Sequence, residues 1–163
     1  MIGLSYERCK VTYGNLAAAG TTEVKSAVVD MNGYDEVEYE ITFGDNVSGS
    51  VVTITPKENT ANSTTSPSPT QVNLTLGSSG ASLGTAAVIT TNSLVVTAGT
   101  SDTDNKIVLI SLKRHAMTKR YQFLSVTPAT QNAVIASIVI RQYGRDLAAT
   151  QSSDVIATAY AAA

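Results

Sequence analysis

The sequence has no tryptophan, one cysteine (Cys9), one histidine (His115) and two phenylalanines in 163 residues. A lone cysteine closes no internal disulfide, so the fold cannot lean on cross-links, and its isolation suits assembly in a reducing cytoplasm. One His and one Cys fall short of the four ligands that close a structural zinc site. Nucleotide chemistry lacks support too, because neither G-x-x-x-x-G-K nor G-x-G-x-x-G occurs. No window approaches the roughly 18 apolar residues of a membrane span, and the start, MIGLSYERCK, lacks the basic-then-apolar order of a secretory signal. The expectation is a soluble, unsecreted chain without a cofactor, in which the glycosylation-like triplets at Asn46, Asn62 and Asn73 are chance patterns.

Charge is also scarce. Charged residues make up 15% of the chain, and 11 Lys plus Arg against 13 Asp plus Glu leave a net charge of -2. Nucleic acid is not expected as the main partner, since phosphate neutralisation needs concentrated positive charge. Hydrophobic residues reach 43%, enough for a core, so the surface is rich in Ser, Thr, Ala and Asn and suits packing against other proteins.

What is present is a period of two. In VEYEITF (residues 37–43), Val37, Tyr39, Ile41 and Phe43 point one way while Glu38, Glu40 and Thr42 point the other, the signature of a half-buried strand. Asn32-Gly33 before it is a turn signal, so residues 25–31 are expected to pair with 35–43 as a hairpin. Residues 51–55 form the next strand, closed by Pro56, and ENTANSTTSPSP (58–69) reads as an exposed loop. Short strands follow at 72–76, 87–90, 94–97 and 107–112, with a polar tip at 99–105. The stretch KRYQFLSVTPATQNAVIASIVIRQYG (119–144) reads as a second hairpin. Its first strand ends at Pro128. Its second places Val134, Ala136, Ile138 and Ile140 opposite Ile135, Ser137 and Val139, as in a central strand covered on both sides. Many short strands with Gly, Asn and Pro turns predict an all-β fold, an antiparallel β-sandwich of jelly-roll type, as one domain over residues 1–163. Residues 1–20 and 148–163 carry too few large apolar groups for another layer of core and are expected to be extended terminal arms lying along a neighbouring subunit.

Each chemical constellation fails on context. Gly80-Ala81-Ser82-Leu83-Gly84 fits the nucleophile-elbow pattern, and Asp102 or Asp104 with His115 completes the hydrolase order. An elbow needs a strand before it and a helix after it, yet residues 85–97 read as short strands, so the chain is not expected to be an enzyme. Asp102, Asp104 and Asn105 supply oxygens, but the twelve-residue calcium loop with its final glutamate is missing. Lys113, Arg114, Lys119 and Arg120 form the one basic cluster. In an acidic chain they are expected to form a rim that meets carboxylates of a protein partner or faces water. Tyr6, Tyr13, Tyr34, Tyr143 and Tyr160 are candidate interface anchors or caps on a small core.

The order of features from residue 100 to 150 carries a resemblance. A polar tip (102–105), the strand at 107–112, Lys119-Arg120-Tyr121, an alternating strand closed by Thr127-Pro128, then Asn132-Ala133-Val134 and Ile138-Val139-Ile140 through Tyr143-Gly144 resemble the C-terminal half of small tailed-bacteriophage virion proteins of the capsid decoration, or cement, type. The resemblance implies a structural protein on the capsid surface, assembled in the host cytoplasm. Its partners would be the major capsid protein and its own copies in a symmetric oligomer, with a trimer expected. Neither nucleic acid nor membrane enters. Tyr6, Lys113, Arg114, Lys119, Arg120, Val155, Ile156 and Tyr160 are then the expected partner-binding residues. The alternative is a head-fibre or tail-associated module recognising a host-surface glycan, against which the lack of tryptophan counts.

Overall fold

A computed structural model describes residues 9–15, 18–45, 50–69, 74–76, 87–89, 94–97, 107–130 and 133–144. Within them the alternating segments become strands: β1 (Cys9–Asn15), β2 (Ala18–Gly20), β3 (Val24–Lys25), β4 (Val29–Asp30), β5 (Glu36–Phe43), β6 (Val51–Asn59), β7 (Ser68–Pro69), β8 (Leu74–Leu76), β9 (Ala87–Ile89), β10 (Leu94–Thr97), β11 (Ile107–Lys113), β12 (Tyr121–Thr130) and β13 (Ala133–Tyr143). A single 3₁₀ turn, Arg114–Ala116, is the only helical piece among the described residues. The strands form two antiparallel sheets. The first runs β1-β13-β5-β11-β8-β9, with β2 also on β13; the second runs β10-β6-β12-β3, with β4 also on β12 and β7 on β6. The chain is thus an all-β sandwich, and the described strands do not by themselves trace a jelly-roll path.

The inner faces of both sheets meet in one core. Val37, Tyr39, Ile41 and Phe43 of β5, Val108, Ile110 and Leu112 of β11, and Ile135, Ile138 and Ile140 of β13 join Val52 and Ile54 of β6 and Leu124 and Val126 of β12. Each such side chain contributes about 1.5–3 kcal/mol when fully buried. The predicted faces of β5 hold throughout, because Glu38, Glu40 and Thr42 lie half-buried on the outside. In β13 the register shifts between Ile135, opposite Phe43, and Ser137, opposite Thr42. That bulge at Ala136 resets the alternation and brings Ile135 into the core beside Ile138 and Ile140, a phase change that strict period-two reading misses.

Several sequence expectations need correction. Residues 119–144 are not a hairpin, since β12 lies in the second sheet and β13 in the first. Both faces of β12 are buried, from Gln122 to Val126, and both of its edges are paired, one with β6 and the other with β3 and β4. Residues 25–31 likewise do not pair with 35–43, because β3 and β4 pair with β12, whereas β5 pairs with β11 and β13. The Asn32-Gly33 turn does form, with Gly33 at φ 81° and the Asn32 N–H donating to Asp30 Oδ1 at 2.9 Å. It serves as a corner between the sheets. Pro56 does not close β6 either. It falls between the segment paired with β10 (up to Ile54) and the segment paired with β7 (from Lys57), so no ladder donor is needed there. Pro128 sits inside β12, next to the register shift between Pro128 and Thr130. The described part of the expected N-terminal arm is an interrupted edge strand: β1 and β2 both pair with β13 of the same chain, which satisfies their backbone locally. Residues 1–8 and 148–163 lie outside the described residues.

The two sheets are tied at one edge by polar contacts. Ser26 Oγ accepts the Leu124 N–H at 2.9 Å, standing in for a ladder carbonyl, and the Ala27 N–H donates to the Gly14 carbonyl of β1 at 2.6 Å. Gly14 is itself required at the register shift between β1 and β13, since a Cβ there would lie 2.9 Å from both Ile138 Cγ2 and the Ile138 carbonyl oxygen. Gly14→Ala is therefore expected to cost about 1–3 kcal/mol of unfolding free energy by overpacking while leaving the β-type circular dichroism intact. An unchanged urea midpoint would disprove the close contact.

Candidate functional site

The Asn32-Gly33 corner builds a cleft. Its floor is set by backbone bonds that bring four segments together: Met31 N–H to the Arg120 carbonyl at 2.9 Å, Asp35 N–H to the Tyr143 carbonyl at 2.9 Å, and Arg114 N–H to the Asp35 carbonyl at 2.6 Å. Gly144 ends β13 at φ 89°, and a Cβ on it would come within 2.5 Å of Asp35 Oδ2, so glycine is needed on both counts. The resulting space, about 500 Å³, is lined by residues that include Tyr34, Asp35, Arg114 and Arg120.

Electrostatics there is largely internal. Arg120 grips Asp30 as a fork, Nε to Oδ1 at 2.7 Å and Nη2 to Oδ2 at 2.5 Å, and stacks its guanidinium 5.3 Å from the Tyr121 ring centroid. The Arg120 guanidinium holds the Asp30 carboxyl below its ordinary range. Arg114 Nη1 donates to the Met117 carbonyl at 3.2 Å and so braces the exit of the 3₁₀ turn. At the end of β11, Lys113 and Ser111 both bond Glu36. Burial alone would raise Glu36, but the Lys113 ammonium and the Ser111 hydroxyl outweigh it and hold the carboxyl low.

Two of the four expected basic residues, Arg114 and Arg120, meet at the cleft, and Lys113 and Lys119 are not among its lining residues. Lys113 and Arg120 meet carboxylates of their own chain, and Arg114 lines the cleft. The Lys119 N–H donates to Glu58 Oε2 at 3.4 Å. Tyr6, Val155, Ile156 and Tyr160 lie outside the described residues. Among the other tyrosines, Tyr34 belongs to the core, whereas Tyr13 is exposed. His115 is exposed on the 3₁₀ turn, and Ser82, Asp102 and Asp104 fall outside the described residues. The Cys9 thiol is buried, and burial pushes its pKa up, which keeps it protonated and weakly nucleophilic.

Sequence reasoning missed Glu58. Assigned to an exposed loop, it is a buried carboxylate, only 3% exposed. It accepts the Thr118 N–H at 3.0 Å, the Thr118 hydroxyl, the Lys119 N–H and Gln122 Nε2 at 3.5 Å, clipping the entry of β12 onto β6. The signal was available: Val52, Ile54, Pro56 and Glu58 continue one inward alternation straight through the proline. Asn59 is buried as well and Ser68–Pro69 pair with β6 as β7, so of the expected loop only residues 60–66 are largely exposed.

The outer face of the first sheet is the second candidate surface. Among the described residues Ile107, Leu109 and Tyr13 are the exposed large apolar side chains, and Arg141 bridges Glu38 and Glu40 on the same face. Among the described residues no group of three or more His, Cys, Asp or Glu is placed to hold a metal ion. No protein-family model matches this sequence, and no curated protein matches it either.

Two outcomes follow from these clips. Glu58→Gln turns an amide N–H₂ toward donors and removes charge-assisted bonds, so it is expected to cost about 1–3 kcal/mol; a variant with the parent's urea midpoint would show the clip to be idle. Asp30 and Glu36 both have folded pKa values below their unfolded ones, so their stabilisation is present above the ordinary carboxylate range and is lost as pH falls through the folded values. The double variant Asp30→Asn, Glu36→Gln should therefore lose less stability than the parent between neutral pH and pH about 3. Equal losses in urea titrations at the two pH values would contradict this.

Proposed function

We propose that the protein is a structural virion component, a capsid decoration protein that binds the assembled phage head and bridges neighbouring major capsid subunits. The observation that carries this reading is the arrangement of the stretch bearing the resemblance. Residues 107–144 supply β11, β12 and β13, central strands of the two sheets, so the matching pattern is the framework of the domain. The surface supports it in a second way. Nine of the sixteen Asp, Glu, Lys and Arg residues among the described ones are in ion pairs within the chain, so much of an already small charge is spent internally. No chemistry is needed for such a role. Attachment comes from area buried across seams, and several copies held in one oligomer, a trimer on this reading, raise avidity by about 10²–10⁴.

A second reading, a glycan-binding module of a head fibre or tail, draws on the corner cleft, where Asn32, Asp35, Arg114 and Arg120 offer amide, carboxylate and guanidinium groups. Electron cryomicroscopy of the particle that carries this chain separates the two. The expected result is density for the sandwich on the outer surface of the shell, spanning contacts between major capsid subunits, and weaker occupancy when residues 150–163 are deleted. Density on a fibre or the tail would favour the second reading, and absence from any particle would overturn both.

A further inference from the structure

Among the described residues the exposed large apolar side chains are Ile107 (55%), Leu109 (46%) and Tyr13 (39%). Their positions in sequence are far apart, yet the cross-strand register puts them on one face. Leu109 stands opposite Glu40, Glu40 opposite Val139, and Val139 opposite Tyr13, so a single row crosses β11, β5, β13 and β1. Ile107 lies one row away, beside Thr42 and Ser137. The row on the other side runs Ser111, Glu38, Arg141 and Val11. The sandwich itself does not use these apolar groups, since the core of β11 is made by the alternate residues Val108, Ile110 and Leu112. Scattered apolar residues on a surface are ordinary, but a group gathered on one sheet face marks an interaction site.

Charge on the same face selects the occupant. Arg141 Nη1 donates to Glu40 Oε2 at 2.7 Å and to Glu38 Oε1 at 3.3 Å, so one guanidinium serves two carboxylates. Glu38 Oε2 and Glu40 Oε1 have no donor among the described residues, and both side chains keep about a quarter of their surface exposed (28% and 25%). The Lys113–Glu36 pair at the end of the face is already balanced. The face is therefore an apolar patch around one uncompensated negative charge. A second copy packed on it through the same face would set two such charges together, whereas an added cation would turn the shared arrangement into two full pairs.

We propose that this face docks a protein partner that presents a Lys or Arg between apolar side chains. The cation sits on Glu38 and Glu40. The apolar neighbours cover Leu109, Ile107 and Tyr13, whose ring can also receive the stem of the basic side chain. The proposal names the chemistry of the partner surface and holds whether or not that partner is a capsid subunit.

The test uses the full chain with labelled methyl groups and two synthetic peptides, one alternating valine with lysine and one alternating valine with glutamate. The lysine peptide is expected to shift the Ile107, Leu109 and Val139 methyl signals, with affinity falling as salt rises, and the glutamate peptide to leave them unmoved. Glu40→Gln should weaken binding about threefold and Leu109→Ser by a similar factor. Both substitutions are at outward positions, and circular dichroism checks the fold. Equal binding of the two peptides, shifts confined to other methyls, or indifference to Glu40→Gln would each overturn the proposal. So would concentration-dependent dimerisation in sedimentation that Leu109→Ser abolishes, since the face would then belong to a second copy. None of these measurements involves a particle, so the outcome is separate from that of the virion reading.

Discussion

Strand β5 imposes the constraint on which both the core and the surface depend. Its eight residues alternate without a break, and it is flanked on both sides, by β13 and by β11. Placing Val37, Tyr39, Ile41 and Phe43 inward forces Glu36, Glu38 and Glu40 outward onto one stripe. The stripe in turn dictates its neighbours. Like charges two residues apart on one face are costly unless cations stand beside them, and the flanking strands supply Lys113 and Arg141. The interior of the sandwich and the charge pattern of its outer wall are two consequences of one alternation.

That alternation was also the legible part of the fold. Apolar positions in β5 are spaced two apart and fall where they were expected, because burial of one face leaves a direct mark on sequence, whereas β11 is apolar on both faces and carries no such mark. Pairing left no such mark. Residues 119–144 contain two well-formed strands close in sequence, but period two encodes which face is buried and says nothing about which strand lies alongside. The partners of β12 are β6 on one side and β3 and β4 on the other, all of them distant in sequence. The bulge at Ala136 was hidden for a related reason: an inserted residue shifts the phase locally while leaving every residue type apolar or small. The candidate site was less legible than the fold. Lys113, Arg114, Lys119 and Arg120 look like one patch in sequence, but only Arg114 and Arg120 converge on the corner cleft, while Lys113 pairs with Glu36 at the end of β11 and the Lys119 N–H is held by Glu58.

Polar clips do the work at the ends of the sandwich that helices or disulfides do elsewhere. Glu58 collects donors from Thr118, Lys119 and Gln122, Asn59 Nδ2 donates to the Ser63 and Thr65 carbonyls, and Asp35 joins the ends of β13 and β11 through its backbone. A buried carboxylate is tolerable here because it accepts backbone N–H groups that would otherwise go unpaired at a strand entry. These clips also spend charge. With so few ionisable groups, those engaged in holding loops are withdrawn from long-range attraction, and contacts with other molecules fall to apolar area and to a few residual charges such as the one shared by Glu38 and Glu40.

The size of the outer face then limits what one contact can achieve. The part of it formed by β1, β13, β5 and β11, four strands at about 4.8 Å spacing and about 3.3 Å per residue over seven residues, covers roughly 450 Å², against about 800 Å² per partner in a standard protein–protein interface. A single docking event on this face is therefore weak, with much of its apolar gain offset by the loss of translational and rotational freedom. Durable attachment requires the same contact to be made several times at once, by copies joined to each other or by a partner that repeats. A repeating shell satisfies that requirement without any increase in the strength of the individual contact. A soluble partner engaging one copy would exchange rapidly.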